Sequence, residues 1–230
     1  MADKPASTPL KVSLFVLTMV SGLVDAVCYL GLGHVFTANM TGNIVVLGFA
    51  IAGAPGFSVT ATLTSLALFL AGAWCAGWGG SRLAASAGAK DVRHRLLTVA
   101  MATEACFVGA AALAALLAHA VSSGWARYVI IALLAFAMGV RNATVRRLAV
   151  PDMTTTVLTM TLTGLAADAV IPGAGHRDAQ YRRLSAVAAM LAGAISGAAL
   201  YLHQGAALPL FIVMLTVSGA GVALWLSKTP

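Results

Sequence analysis

The chain has 230 residues, of which 60% are hydrophobic and only 9% are charged, and its mean hydropathy is +0.92. Soluble domains carry about 25% charged residues, so this composition excludes a domain that faces water on all sides. The net charge of +7 does not indicate nucleic-acid binding, because the bases lie in short loops between apolar segments, where they act as orientation signals. We therefore expect an integral membrane protein that contacts membrane lipids and no nucleic acid.

The polar amino terminus, residues 1–11, precedes the first apolar segment, Val12–Leu32. If this segment belonged to a cleaved signal peptide, the small-residue cleavage site would lie around residues 21–26, beside Asp25, and the chain after it is again apolar. An uncleaved first span is the preferred interpretation. Residues 1–11 are then predicted to be a cytoplasmic N-terminal segment.

Further apolar segments follow at a spacing typical of a multi-span protein. The segments are Val12–Leu32, Gly42–Ala54, Phe57–Gly79, Leu96–Val121, Trp125–Val145, Thr155–Val170, Leu184–Leu202 and Leu208–Leu226. A helix rises 1.5 Å per residue and needs about 20 apolar residues to cross the hydrocarbon core. Six segments are long enough to cross, whereas the second and the sixth are too short.

The two short segments begin with polar stretches, GHVFTANMTGN and PDMTTTVLTMTLTG, which is typical of re-entrant elements. If all eight segments crossed, Arg82, Arg146 and Arg147 would lie outside, against the positive-inside rule. If the short segments enter and leave by one side, the basic loops and both termini lie inside. We therefore predict an all-α integral membrane protein with six transmembrane helices plus two short re-entrant or broken helices.

The two halves of the chain share a weak sequence pattern. GLVDA at residues 22–26 resembles GVRNA at residues 139–143, and LAGA occurs at residues 70–73 and 191–194. The aligned polar pairs are Asp25 with Asn142, Thr37 with Thr155, and Thr41 with Thr159. The matches keep the same order at nearly constant offset, which indicates an internal duplication. We expect a first membrane repeat at residues 12–121 and a second at 122–230, inverted because each holds three crossings.

Ionisable groups inside a membrane are costly and mark candidate functional sites. Asp25 lies in the first span and Glu104 in the span that begins at Leu96, and either could hold a proton that exchanges during transport. Arg141 is the natural partner for one of them. A structural Asp25–Arg141 pair and a role in substrate or proton handling both remain open. Glu104 has no counterpart in the second repeat, so its case is weaker.

Threonine and asparagine side chains at the polar entries are candidates for a substrate or ion pathway. These candidates are Thr37, Asn39, Thr41 and Asn43 in the first repeat and Thr155, Thr159, Thr161 and Thr163 in the second, with Asn142 added as the counterpart of Asp25. Such side chains cap helix starts, and a half-helix that begins within the membrane directs N–H groups and partial positive charge into a cavity. Two such ends would suit an anion or a polar carbonyl compound. Alternatively, these side chains only satisfy broken backbone or neighbouring helices.

The run GLVDAVCYLGLGHVFTANMTGNIVVLG, followed by AMGVRNATVRRL and TTTVLTMTLTGLAAD, resembles the YoaK-like family of bacterial membrane proteins of unknown function. The resemblance covers nearly the whole chain. It implies a protein of the bacterial inner membrane with about six spans, and it implies no substrate, reaction or catalytic residue. Arg141 departs from the uncharged polar residue that the resemblance leads us to expect.

Inverted repeats with interrupted elements in matching positions are a known transporter plan. We therefore expect a secondary transporter or facilitator of a small polar or anionic solute, with proton coupling as an option that the buried carboxylates allow. The alternative is a non-transporting membrane scaffold, assembly or lipid-binding protein. The sequence has no nucleotide loop, metal-ligand spacing or nucleophile–base motif, so we expect neither enzymatic activity nor a cofactor. It leaves open whether the protein forms a homo-oligomer.

Overall fold

The computed structural model describes residues 8–86, 92–118, 124–148, 158–167 and 174–227, and every regular element within these ranges is an α-helix. The helices are α1 (Thr8–Gly31), α2 (Met40–Ile51), α3 (Val59–Ser86), α4 (Val92–Leu117), α5 (Trp125–Leu148), α6 (Leu158–Ala167), α7 (Ala174–Gln204) and α8 (Ala207–Leu226). Six of these helices are long and apolar enough to cross a membrane, and α2 and α6 are shorter. The prediction of an all-α integral membrane protein is confirmed.

The chain turns back into the bundle after α1. Gly33 has a φ of 88° and His34 a φ of 60°, and these two positive values reverse the chain direction. Glycine adopts such a conformation readily, which explains Gly33 at this turn. The backbone N–H groups of Thr37 and Ala38 then bond to Asp25, which lies six residues before the end of α1. At 1.5 Å per residue the loop descends about 9 Å along α1 before α2 begins.

The end of α2 returns to the level of the end of α1. The ring nitrogen Nδ1 of His34, three residues beyond α1, lies 3.1 Å from the carbonyl oxygen of Gly56, which follows α2. The ring of Phe57 also stands against the ring of His34. Segment 33–51 therefore enters and leaves at one end of the bundle, as predicted for a re-entrant element.

The two sequence repeats reappear as equivalent helix crossings. A methyl group added at Gly22 of α1 would overlap the backbone carbonyl of Met190 in α7, and one added at Gly139 of α5 would overlap the carbonyl of Phe69 in α3. Gly139 is the counterpart of Gly22 in the aligned motifs. The α1–α7 and α3–α5 pairs are the closest helix pairs of the described bundle. Each pair thus combines one helix from each half of the chain.

The corresponding helices run in opposite directions. Arg141, late in α5, bonds to the carbonyl oxygen of Leu17 in the middle of α1. Arg127, at the start of α5, lies against Gly33, just after the end of α1. Helices α1 and α5 are therefore antiparallel, which is the direction that an inverted repeat requires, and the inverted repeat itself stays a prediction. The predicted boundary between residues 121 and 122 lies outside the described residues.

Helices α1 and α5 form the centre of the bundle. In each of them 67% of the spanning window is buried, against 17% in α7 and 22% in α3. The fully buried side chains Leu14, Leu17, Ile131 and Met138 belong to this core. The outer helices expose apolar side chains such as Trp74, which suits a surface that faces hydrocarbon. Polar groups on α1 and α5 are therefore held away from lipid.

Candidate functional site

Asp25 holds the backbone of the loop that enters the bundle. Its side chain is 5% exposed, and its Oδ1 accepts hydrogen bonds from the N–H groups of Thr37 at 2.8 Å and Ala38 at 2.9 Å. The Thr37 hydroxyl lies 3.5 Å from the same oxygen and 3.5 Å from the sulfur of Cys28. Bonds of this kind are about twice as strong when the carboxyl group is ionised as when it is neutral. The carboxyl group of Asp25 therefore accepts hydrogen bonds from two backbone N–H groups that lie outside the helices.

Asn43 fixes the same loop from the side of α2. Its Oδ1 accepts from the N–H of Phe36 at 2.9 Å, and its Nδ2 donates to the carbonyl oxygen of Phe36 at 2.7 Å. The same Nδ2 donates to the hydroxyl of Ser65 in α3 at 3.0 Å, and that hydroxyl donates to the Phe36 carbonyl at 2.6 Å. Asn43 is fully buried. The polar backbone at residue 36 is thus completely bonded without water.

The other predicted pathway residues of the first repeat lie apart from this network. Asn39 is exposed and caps α2, because its Oδ1 accepts from the N–H of Gly42 at 3.2 Å. Thr41 is exposed on α2. The structure therefore brings together Asp25, Thr37 and Asn43 and leaves Asn39 and Thr41 outside.

Arg141 and Glu104 form a buried ion pair between α5 and α4. Arg141 Nη1 lies 2.8 Å from Glu104 Oε1, and both side chains are 0% exposed. Arg141 also donates to the Ser21 hydroxyl at 2.6 Å and to the Leu17 carbonyl oxygen at 3.4 Å. Because Ser21 and Asp25 are four residues apart, they share one face of α1, and the guanidinium interacts electrostatically with the Asp25 carboxylate.

Arg141 was expected to partner either Asp25 or Glu104, and in the structure it forms its direct salt bridge with Glu104. The direct partner of Arg141 is Glu104, which the sequence ranked lower because it has no counterpart in the second repeat. Sequence reasoning also missed Ser21 and Ser65. The position of Ser21, one turn before Asp25, was a signal for the first of them.

Three buried polar atoms in this region have no hydrogen-bond partner among the described residues. They are Asp25 Oδ2, Glu104 Oε2 and Arg141 Nε. Buried polar atoms are nearly always bonded in folded proteins, so each such atom calls for an explanation. These three belong to side chains from α1, α4 and α5, which meet at the centre of the bundle.

The second repeat is described in part. Asn142, the counterpart of Asp25, is buried in α5, and Thr161 is buried in α6. Thr159 is exposed on α6, where its carbonyl oxygen accepts from the Thr163 hydroxyl at 2.9 Å. The prediction for Thr155 lies outside the described residues. Of the described candidates of the second repeat, Asn142 and Thr161 are therefore the buried ones.

Two grooves accompany the described helices, and both are apolar. One of about 600 Å³ lies between α4 and α5 and is lined by residues such as Leu113, Leu117 and Trp125. The other, of about 340 Å³, lies between α3, α4 and α5 beside Gly80 and Phe136. Neither contains a predicted pathway residue. Of the polar residues of the first entry, Thr37 and Asn43 are buried and hydrogen-bonded, whereas Asn39 and Thr41 are exposed.

Residues 13–223 match the family described as "Protein of unknown function (DUF1275)". The chain belongs to this family. It is also 34% identical over 155 residues to the UPF0700 transmembrane protein YoaK of Bacillus subtilis (strain 168). The match covers 67% of this chain and 65% of that relative, so the chain spans slightly less than two thirds of its length. No solved structure matches the chain.

Family membership agrees with the geometry at the coarse level. The relative is a transmembrane protein by name, and six helices of this chain can cross a membrane. The predicted membership of a YoaK-like multi-pass membrane family is therefore confirmed. The features of this DUF1275 protein that bear on its function are the re-entrant segment 33–51 and the buried cluster of Asp25, Glu104 and Arg141.

Proposed function

We propose that the protein is a secondary transporter or facilitator that moves a small polar or anionic solute across the bacterial inner membrane. The observation that carries this proposal is the re-entrant segment 33–51, held inside an inverted pair of repeats by Asp25 and Asn43. Irregular backbone within a membrane is costly unless protein buries it or it lines a cavity. Its presence between inverted repeats is the arrangement that transporters use around their binding sites.

The ligand class follows from the groups that the loop offers. The N–H groups of Thr37 and Ala38 stand just before α2 and already bind a carboxylate oxygen, that of Asp25. Helix N-termini carry partial positive charge and favour anions. A small anion or a polar carbonyl compound therefore has the chemistry that these donors recognise. Movement of Asp25 away from the loop would make them available.

The packed polar network corresponds to a closed conformation in this proposal. Thr37 and Asn43 are fully buried, so a solute reaches them only when segment 33–51 moves relative to α1 and α3. Basic residues at the ends of α3 and α5, including Arg82, Arg146 and Arg147, favour a cytoplasmic location for that end of the bundle in this proposal. Both chain termini then lie in the cytoplasm too.

Flux measurements in proteoliposomes test the proposal. A panel of small anions and neutral polar solutes would be loaded, and uptake compared with protein-free liposomes. We expect at least one solute class to move, and Thr37→Val to slow its movement because the buried hydroxyl is lost. Thr216→Val, at an exposed position on α8 away from both polar entries, is the control and should keep wild-type flux. If no solute in the panel moves, the transport proposal fails.

A lipid-binding function is the second candidate, and the groove between α4 and α5 favours it. The groove is open and lined by Leu113, Leu117, Val129 and alanines, which suits an acyl chain. Native mass spectrometry after gentle detergent extraction would detect a retained lipid. Under this alternative Ala114→Trp, which fills the groove, lowers lipid retention. Under the transport proposal the same substitution leaves solute flux unchanged.

A further inference from the structure

Three ionisable side chains meet at the centre of the bundle and their charges do not balance. Asp25 comes from α1, Glu104 from α4 and Arg141 from α5, and all three are buried. With both carboxylates ionised, the cluster carries one guanidinium against two negative charges. An uncompensated charge inside a membrane protein is strongly unfavourable. The cluster therefore requires one further cation.

The unpartnered atoms indicate where that cation binds. Glu104 uses Oε1 for the 2.8 Å contact with Arg141, whereas Asp25 forms no direct salt bridge in the described structure. Both N–H donors of the entering loop point at Oδ1 of Asp25, and Oδ2 has no described partner. Two N–H donors repel a metal ion at Oδ1. A proton on Oδ2 leaves Oδ1 free to accept both bonds.

The surroundings of Asp25 contain no other described group that could supply the missing charge. Cys28, one turn further along α1, is neutral as a thiol, and Arg141 is the nearby cation. The face of α7 that packs on α1 around Gly193 carries no ionisable residue, and the same holds for all of α8. Tyr201 of α7 lies near Gly31, at the end of α1.

We infer that Asp25 carries one exchangeable proton on Oδ2 and that its charge state determines how firmly the re-entrant segment is held. The proton adds to one oxygen of an ionised carboxylate, and no other bond forms or breaks. The ionised form makes charge-assisted bonds to Thr37 and Ala38, and the neutral form makes weaker ones. This inference rests on the proposed function. In it the proton is the coupling ion, and its binding to Asp25 loosens segment 33–51, which acts as the gate.

Infrared difference spectroscopy between high and low pH tests proton binding without any solute. The probe is the carbonyl stretching band of a protonated carboxylic acid, recorded on the full protein in lipid nanodiscs. We expect the wild type to gain this band on acidification and Asp25→Asn to lose it. Asp25→Asn suits the test because an amide oxygen can still accept from Thr37 and Ala38. Glu104→Gln should shift the appearance of the band to lower pH, because Asp25 is then the remaining carboxylate that balances Arg141. Asp178→Asn, near the start of α7 and outside the cluster, is the control and should leave the transition unchanged.

Three results would overturn the inference. They are absence of the band in the wild type, its persistence in Asp25→Asn, and its replacement by a sodium-dependent change when sodium is exchanged for a large organic cation. None of these results depends on solute flux. If the protein transports a solute but Asp25 gives no such band, the proposed transport function stands and the inference of a proton on Asp25 fails.

Hydrogen exchange at Thr37 and Ala38 tests the link to the re-entrant segment. After correction for the intrinsic pH dependence of exchange, we expect these amides to exchange about fivefold faster when Asp25 is neutral, because neutral hydrogen bonds are weaker than charge-assisted ones. The Asp25→Asn variant should show the faster corrected rate at every pH. If the corrected exchange rate of the wild type does not change with pH, the charge state of Asp25 does not control how firmly segment 33–51 is held.

Discussion

Arg141 Nη1 and Glu104 Oε1 lie 2.8 Å apart, with both side chains fully buried, and their ion pair joins α5 to α4 in the middle of the bundle. The same guanidinium reaches α1 through Ser21 and Leu17. One side chain thus links three helices. Neither member of the pair can leave without stranding the other in a region from which water is excluded.

Removal of one member of this pair should destabilise the protein strongly. We expect Arg141→Met or Glu104→Gln to lower the free energy of unfolding by about 3–5 kcal/mol, because each leaves an uncompensated polar or charged group buried. The double variant should recover a large part of this loss. Thermal unfolding in detergent, followed by size-exclusion chromatography, measures all three. A double variant less stable than either single variant would contradict this account.

The helix crossings predict opposite effects for two glycines of α3. A methyl group at Gly72 overlaps the carbonyl of Phe136, whereas nothing lies within 4 Å of one at Gly77. We expect Gly72→Ala to destabilise by about 1–3 kcal/mol, as overpacking does. Gly77→Ala should be neutral or stabilising by up to about 1 kcal/mol, since alanine is the better helix former. Equal melting temperatures for the two variants would refute the crossing geometry.

Inverted symmetry extends this expectation to the other crossing. Gly193 of α7 stands against the carbonyl of Met19 as Gly72 stands against that of Phe136. Gly193→Ala should therefore shift the melting temperature in the same direction as Gly72→Ala and by a similar amount. Gly219→Ala on α8, with open space around it, is the control. A wild-type melting temperature for Gly193→Ala would show that the two crossings differ.

Asn43 and Asn39 offer a matched pair within one segment. Asn43→Ala removes both side-chain bonds to Phe36 and leaves the Phe36 N–H short of a partner, while the Phe36 carbonyl keeps its bond from Ser65. An unsatisfied group of this kind costs about 1–3 kcal/mol. Asn39→Ala removes a single exposed capping bond of 3.2 Å, worth about 1 kcal/mol. Thermal unfolding should rank Asn43→Ala well below Asn39→Ala. The reverse ranking would exclude Asn43 as the anchor of the loop.

Cysteine labelling in intact cells tests the re-entrant path. In a background without Cys28, Cys75 and Cys106, we expect His34→Cys and Gly56→Cys to label from the same face of the membrane, because those two residues are in contact. Ser81→Cys, at the far end of α3, is the control for a full crossing and should label from the opposite face. Labelling of positions 34 and 56 from opposite faces would mean that α2 crosses.

Local sequence patterns predicted much of the fold because hydropathy and segment length are properties of consecutive residues. The short second segment, placed at Gly42–Ala54, corresponds to α2 at Met40–Ile51. The aligned glycines 22 and 139 predicted equivalent positions and occupy equivalent crossings. Neither prediction depends on which helices pack against each other.

The site was predicted less well because it depends on how each helix is rotated and which neighbours it meets. Asp25, Thr37 and Asn43 do converge, since they lie close to one another along the chain. Asn39 and Thr41, from the same motif, point away from them. The pairing of Arg141 joins residues 37 positions apart on separate helices, and no periodicity in the sequence encodes that choice.

The sequence by itself was enough to predict an all-α integral membrane protein with six helices that are long and apolar enough to cross and two shorter helices. Free energy of transfer into lipid acts on each segment separately, so composition and length suffice. The tertiary structure alone decided that Glu104 pairs with Arg141, that Asp25 holds the re-entrant backbone, and that Thr37 and Asn43 are buried. These outcomes arise from packing between helices far apart in the chain, where distances of a few ångströms determine which charges meet.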